Sequence, residues 1–340
     1  MKAAIYNPYL DSLGGGERYT MAVATTLSNL GYITDIEWDD PSIKDKLEKR
    51  FDIDLSNINF IKDIKKGDGY DVCFWVSDGS IPTLRSRKNF LHFQVPFQNV
   101  RGRDLINKFK LMRINKVVVN SKFTKKFIDK EFGIDSAVLY PPVSVDKFKP
   151  KKKENIILGV ARFSNLMQSK RQDILIETFK NFHISNEKYK LVLAGGVEVG
   201  SDFVEKLENE AKGHPIEIVK SPDFKTLKNL YGKAKIFWSA AGYGVDEEKE
   251  PQKVEHFGIA VVEAMSAGCV PIVLDSGGHK EIIEANINGY LWKNTGELYG
   301  LTKKVLSNEK LRKEISRKAR EKALSFSYKE FEKKFTELIV

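Results

Sequence analysis

The sequence predicts an α/β protein made of two doubly wound domains, and three observations carry that prediction. Short apolar segments of strand length alternate with segments whose apolar residues recur at helical spacing, the pattern of parallel sheets covered by helices on both faces. The rhythm runs through the first half of the chain, stops, and starts again. A chain of 340 residues also exceeds the size at which one hydrophobic core usually stops growing, so two domains of roughly 150 to 190 residues are the natural division.

Strands are predicted in the first half at 3–6, 33–37, 71–76 (DVCFWV), 89–94 (NFLHFQ), 116–120 (KVVVN) and 137–140 (AVLY). In the second half they fall at 155–160 (NIILGV), 189–194 (YKLVLA), 216–219, 235–239 (KIFWS), 270–274 (VPIVL) and 289–292. Between the halves, Pro141, Pro142 and Pro150 in "YPPVSVDKFKPKKKE" interrupt regular structure, which places a hinge there. The predicted domains are 1–148 and 149–323, followed by 324–340, whose "YKEFEKKFTELI" is helical by pattern. Ligands of such sheets bind outside the carboxyl ends of the strands, and two facing sheets put that crevice between the domains.

Composition narrows the functional class. With 41% hydrophobic and 30% charged residues the chain reads as globular. Its apolar runs fall far short of the roughly 18 residues needed to cross a bilayer. The opening "MKAAIYNPYL" begins with a strand pattern rather than a secretory signal, so cytoplasmic placement is predicted. Cys73 and Cys269 stand far apart in apolar segments, which suits buried thiols rather than a disulfide or a metal site. The net charge of +10 makes a polyanion, a phosphate or an anionic membrane surface a compatible partner. The basic residues gather in "RGRDLINKFKLMRINK", "SKFTKKFIDK", "KFKPKKKE" and "LRKEISRKAREKALSF", where solvated helix faces and a linker are the alternative reading. No zinc, helix-turn-helix or RNA-binding aromatic signature is present, so nucleic acid is not an expected partner.

The loops after the strands are where chemistry is expected. In "NPYLDSLGGGERYTMAVATTLSNLGY" the glycines Gly14, Gly15 and Gly16 open a helix with Val23, Leu27 and Leu30 at helical spacing. Glycine lets a ligand approach the backbone, and the amides of a helix start suit a phosphate. A dinucleotide-binding loop would need glycine at Tyr19, although Asp35 and Glu37 stand at about the distance of a ribose-binding acid; a structural glycine turn is the third reading. In "GVARFSNLMQSKRQDILIETF", Arg162 leaves a strand while Lys170 and Arg171 precede a helix. These cations suit an anionic group, and an arginine can grip a diphosphate through two parallel hydrogen bonds. A third loop, "LVLAGGVEVG", has glycines that permit close approach.

"GIAVVEAMSAG" predicts a helix from near Gly258 to Gly268, with Glu255 in the loop before it and Glu263 about a turn and a half inside. A carboxylate facing packed structure is costly unless hydrogen-bonded, and the vicinal hydroxyls of a ribose would satisfy Glu263 as those of a sugar would satisfy Glu255. The plainer alternative makes Glu255 an acid favoured by the helix dipole and Glu263 a surface residue. His92, in "LHFQVPF" at a strand end, is by itself as readily a core or surface histidine. The acids of "DID" at Asp52 to Asp54 sit in charged loop sequence and are read as solvated, so no metal is predicted.

Taken together, the glycine-rich first loop, Arg162 and Lys170, the paired Glu255 and Glu263 and the later "SGG" resemble the retaining GT-B-fold glycosyltransferases of family 4, group 1. "NPYLDSLGGGERY", "YPPV" and "EHFGIAVVEAMSAGCVPIVLDSGG" are most similar to the cytosol-facing α-1,2-mannosyltransferases that extend lipid-linked oligosaccharides from GDP-mannose. The resemblance spans essentially the whole chain and is most specific over 155–290. It implies two Rossmann-like domains and a metal-independent, retaining hexosyltransferase that needs no cofactor. Arg162 and Lys170 would hold the donor diphosphate, with Gly15 and Gly16 approaching it from the other domain. Glu263 would take the ribose and Glu255 the transferred sugar, assisted by backbone amides at Phe257 and Gly258. His92 would lie by the transferred sugar on the acceptor side. The implied partners are a nucleotide-sugar donor and a glycan or lipid-linked acceptor, with placement in the cytoplasm or at the cytoplasmic membrane face, and the last helix would cross back onto the first domain. Two departures stand out: the eukaryotic enzymes carry an N-terminal membrane helix where this chain starts at the first strand, and "GYGVDEEKEPQKV" is more charged than its counterparts. A UDP-sugar donor, or a non-catalytic module that binds sugar nucleotides or polyanions, are the alternatives.

Overall fold

The computed structural model, which describes residues 1–164, 170–197 and 202–339, divides into two units, Met1–Pro142 with Tyr328–Val340, and Val143–Ser327. The first unit contains β1 (Lys2–Tyr6), α1 (Gly15–Asn29), β2 (Ile33–Glu37), α2 (Ile43–Phe51), β3 (Ile58–Ile61), β4 (Val72–Val76), β5 (Lys88–Phe93), α3 (Leu105–Leu111), β6 (Lys116–Val119), α4 (Lys122–Phe132) and β7 (Ala137–Val138). Its strands pair in parallel in the order β3-β2-β1-β4-β5-β6-β7. The central strand β4 is apolar along its whole length, and both β4 and β5 are almost wholly buried, as strands covered on both faces must be. Strand β3, "INFI", is absent from the sequence reading. It is an edge strand whose burial fades along its length, so it lacks the continuous apolar run that marks its neighbours.

Helix α1 starts without a side-chain N-cap, because Gly14 has no oxygen to offer. Instead Glu17 turns back from inside the first turn, and its carboxylate accepts from the Gly14 amide at 2.7 Å and from Ser12 Oγ at 2.6 Å, satisfying a donor that a helix start otherwise leaves open. Helix α4 is bounded by Ser121, whose Oγ accepts from the Thr124 amide, and by Gly133 at φ 68°, the usual start and stop signals.

The second unit contains β8 (Ile156–Val160), α5 (Gln172–His183), β9 (Lys190–Gly195), α6 (Phe203–Ala211), β10 (Ile216–Lys220), α7 (Phe224–Lys233), β11 (Ile236–Ser239), α8 (Ile259–Ser266), β12 (Val270–Leu274), α9 (His279–Ile282), β13 (Tyr290–Trp292), α10 (Thr295–Ser307) and α11 (Glu309–Ala323). The strands are parallel in the order β10-β9-β8-β11-β12-β13. Trp238 and Trp292 are fully buried in its core, and Trp238 Nε1 donates to Thr302 Oγ1 at 3.0 Å. Residues 143–148 belong to this unit because the Phe148 ring packs edge-on against Phe224 and Tyr231. At the other end, Phe326 packs on Phe257.

The final helix, α12 (Tyr328–Ile339), belongs to the first unit. Its Phe331, Phe335 and Ile339 join the core formed by Ile5, Val23, Leu27, Phe74 and Phe90. Phe335 stands edge-on to Phe74 at 5.9 Å, and Phe331 meets Tyr19 at 5.1 Å. Cys73 and Cys269 are buried free thiols. Among the described residues no helix is long and apolar enough to cross a membrane.

Candidate active site

In each sheet the strand order reverses direction beside its first strand, between β1 and β4 in one and between β8 and β11 in the other. Loops leaving neighbouring strands diverge at such a point and open a crevice for ligands. In the second unit the loop after β8 ends in Lys170, and the loop after β11 carries Glu255. The two meet: Lys170 Nζ donates to Glu255 Oε2 at 2.9 Å, with only 12% and 20% of the two side chains exposed. Arg171 holds this geometry. It takes a left-handed backbone (φ 50°), its Nη1 donates to the Tyr243 carbonyl at 2.8 Å, and its remaining nitrogens grip Asp173. The start of α5 is thereby tied to the loop after β11.

A second clamp acts on the "SGG" loop. The Gly278 amide donates to the Glu255 carbonyl at 2.8 Å. From the acidic segment before Glu255, the Glu247 carboxylate accepts from the Gly277 amide at 2.8 Å and from Ser276 Oγ at 3.2 Å, and pairs with Lys280. The charged loop noted as a departure therefore fixes the loop on which Glu255 rests.

The electrostatics follow from the packing. Burial pushes the Glu255 carboxyl up, but the neighbouring cationic groups, Lys170 foremost, outweigh it and hold the group at about 2. A depressed carboxyl contributes stability that is present above its unfolded value of about 4.3 and lost as pH falls toward the folded one. Glu255 is accordingly ionised throughout the neutral range. His279, fully buried beside it, has Nδ1 3.0 Å from the Leu274 carbonyl. A carbonyl only accepts, so Nδ1 carries the proton and Nε2 presents a lone pair, which has no partner among the described residues. Burial lowers the His279 pKa against the opposing pull of Glu255, which keeps the ring neutral.

Gly258, the residue before α8, sits at φ 114°, and a Cβ there would lie 3.3 Å from both His279 Cδ2 and Ile282 Cδ1. Only glycine fits that conformation and approach. Phe257 is buried with its ring on Phe326, and the Gly258 carbonyl accepts from the Val261 amide. Glu263 is buried in α8, and its Oε2 accepts from Tyr231 Oη at 3.0 Å. It is thus an internal carboxylate, and the surface alternative does not hold. Arg162 is exposed where the chain leaves β8; its carbonyl accepts from Gln172 Nε2 at 2.9 Å, and its guanidinium has no partner among the described residues. Residues 165–169 of that loop, and 198–200 of the third glycine loop, lie outside the described residues.

The remaining predicted residues belong to the first unit. Gly15 and Gly16 open α1, and a Cβ on Gly16 would fall 2.1 Å from Gln94 Oε1, so the backbone lies directly against the side chain that follows β5. His92 lies one residue short of the end of β5, fully buried and stacked on Tyr19 at 4.2 Å. Its Nδ1 meets the Val118 carbonyl at 3.1 Å, and burial drives its pKa down to about 3. Of the "DID" acids, Asp52 terminates α2 at φ 54° and Asp54 accepts from the Ser56 amide. The structure thus gathers Lys170, Glu255, Phe257 and Gly258 at the β8/β11 switch point, with Glu263 in the helix that follows. Sequence reasoning missed Glu247, His279 and Tyr231. The first two had visible signals, an acidic run just ahead of Glu255 and a lone histidine after paired glycines.

Comparison with known proteins bears on this arrangement. The model of the family described as glycosyl transferases group 1 matches residues 143–322, more than half of the chain. The chain belongs to that family. Among curated relatives, the GDP-Man:Man(3)GlcNAc(2)-PP-Dol alpha-1,2-mannosyltransferase of Dictyostelium discoideum is 30% identical over 241 residues, covering 66% of this chain and 46% of that protein. The alpha-1,3/1,6-mannosyltransferase ALG2 of Saccharomyces cerevisiae is 27% identical over 236 residues, covering 58% and 44%. The chain therefore spans less than half the length of these curated relatives. Among solved structures, a glycosyltransferase from Rickettsia africae superposes with a TM-score of 0.79 at 21% identity, covering 99% of this chain and 97% of that one. Anabaena Alr3699/HepE, solved in complex with UDP, superposes at 0.80 with 16% identity, covering 99% of each. These likenesses establish the fold, GT-B with two parallel-sheet Rossmann-like domains.

Proposed function

We propose that the protein is a retaining glycosyltransferase that moves mannose from GDP-mannose to a hydroxyl of a glycan or lipid-linked acceptor. The observation that carries this reading is the Lys170–Glu255 pair, largely buried at the switch point of the second sheet in a member of the group 1 family. The mannosyltransferase names of its relatives support the choice of sugar.

In this reading Arg162 and Lys170 meet the donor diphosphate and stabilise the charge that builds on it as the bond to the sugar breaks, a role that needs no metal. Glu255, fixed as an anion by Lys170, accepts hydrogen bonds from the sugar hydroxyls, and the Nε2 lone pair of His279 offers a second acceptor beside it. The amides at Phe257 and Gly258 assist at sugar and phosphate, and Glu263 takes the ribose hydroxyls while keeping its bond from Tyr231. The acceptor oxygen bonds to the anomeric carbon on the face the diphosphate leaves, and the acceptor proton passes to a diphosphate oxygen. His92 is a poor general base near neutrality, because a useful base has a pKa near the working pH; it serves as a neutral hydrogen-bonding group on the acceptor side.

A thermal-shift screen of GDP- and UDP-sugars tests the donor assignment, since a ligand that binds only the folded state raises its stability with affinity. GDP-mannose is expected to raise the melting temperature, and UDP-glucose to leave it unchanged. Glu263→Gln, which still accepts from Tyr231, should weaken GDP-mannose roughly tenfold to a hundredfold through loss of charged hydrogen bonds. Stabilisation by UDP-glucose over GDP-mannose would reverse the donor assignment.

A further inference from the structure

Helix α3 and its C-cap residue carry four large apolar side chains turned to solvent: Leu105 is 72% exposed, Ile106 70%, Phe109 70% and, at the cap, Met112 81%. Elsewhere among the described residues such strongly exposed apolar side chains stand singly or in a pair. Spaced i, i+1, i+4 and i+7, the four fall on one stripe of the helix. Leu111, on the opposite side, is the helix's contact with the core formed by Leu91, Phe93 and Val119; no residue of α3 is fully buried.

Cations border this stripe. Lys108 and Lys110 flank Phe109, and the segment 101–113 holds Arg101, Arg103 and Arg113 besides, against the single acid Asp104. Arg103 donates to the Lys130 carbonyl and Arg113 to the Leu84 carbonyl, which anchors both ends of the segment to the unit and holds the stripe outward. An apolar stripe with lysines at its margins is the form of a helix that lies in a membrane interface, its apolar side chains entering the acyl boundary and its cations meeting anionic headgroups.

We infer that α3 docks the first unit on an anionic lipid surface, with Leu105, Ile106, Phe109 and Met112 inserted and Lys108 and Lys110 on the headgroups. The charge selects this occupant over a second copy of the chain. Two such segments face to face would oppose like charges, and four side chains on a seven-residue helix and its C-cap cover far less than the roughly 800 Å² each partner gives to a standard interface. The inference requires neither donor nor acceptor, so it stands or falls separately from the proposed transfer reaction.

Vesicle flotation tests it, comparing phosphatidylcholine vesicles with vesicles of phosphatidylcholine and phosphatidylglycerol in equal parts. The full chain is expected to float with the anionic vesicles and to release as salt rises. The variant Leu105→Ser, Ile106→Ser, Phe109→Ser should lose roughly tenfold or more of that binding, with its circular dichroism and its GDP-mannose thermal shift unchanged because no core contact is removed. Lys108→Glu with Lys110→Glu should abolish the preference for anionic vesicles. Unaltered flotation of the serine variant, or absence of flotation by the parent chain, would overturn the inference. So would a parent chain that is dimeric by light scattering and becomes monomeric on serine substitution, which would assign the stripe to a second copy.

Discussion

Glu255→Gln is expected to lower kcat by about 10²- to 10³-fold, the scale at which loss of one preorganised polar group acts in an active site, while affinity for GDP alone changes little. Glutamine keeps the shape and one accepting oxygen but removes the charge. Lys170 then loses the carboxylate that fixes it at 2.9 Å, and an ammonium with 12% of its side chain exposed is left without that counterion. Both sides of the reacting bond are disturbed, the sugar hydroxyls that the carboxylate orients and the diphosphate charge that the lysine meets. The effect belongs in kcat, because these interactions strengthen as the sugar–diphosphate bond breaks. Steady-state kinetics on GDP-mannose and a binding titration with GDP separate the two parameters. Full activity with intact donor binding would remove Glu255 from the role assigned to it.

The second large effect concerns the last helix. Phe335→Ala is expected to destabilise the first unit by about 3–5 kcal/mol, the range for deleting a fully buried aromatic ring. Phe335 is fully buried, edge-on to Phe74 and Phe90 and stacked on Phe331. It lies some two hundred and fifty residues along the chain from the strands it covers, so its loss exposes β4 and β5 from a direction no nearby segment can fill. Hydrogen exchange resolves the effect by unit. Amides of β4 and β5 should lose protection while those of β8 and β11 keep theirs. Equal loss in both units, or none in β4 and β5, would contradict this account of how α12 is bound.

Much of the fold was legible because strands buried on both faces must be apolar almost throughout, and "VCFWV", "IILGV" and "VPIVL" meet that demand. Strand β3 was not legible: at the sheet edge only Ile58 is fully buried, and "NINF" reads equally as loop. Among site residues, the types were visible but the pairing was not. Lys170 and Glu255 lie 85 residues apart and meet only because β11 joins the sheet beside β8, a fact of strand order that local pattern does not encode. The histidine after the paired glycines was visible, but the burial of His279 was not, since it depends on the left-handed turn at Gly258 and on the Leu274 carbonyl. In α3 the basic run was evident, but the apolar stripe gained meaning only once Leu111 was seen to face inward.

The most direct test of the central claim is a transfer assay with mannose-labelled GDP-mannose and a lipid-linked oligosaccharide acceptor, in which the product's anomeric configuration is determined by linkage-specific mannosidase digestion. The account predicts label in the acceptor as an α-mannoside, matched by released GDP and lost in Glu255→Gln. A β-mannoside, or donor binding without transfer to any of a broad panel of acceptors, would contradict it.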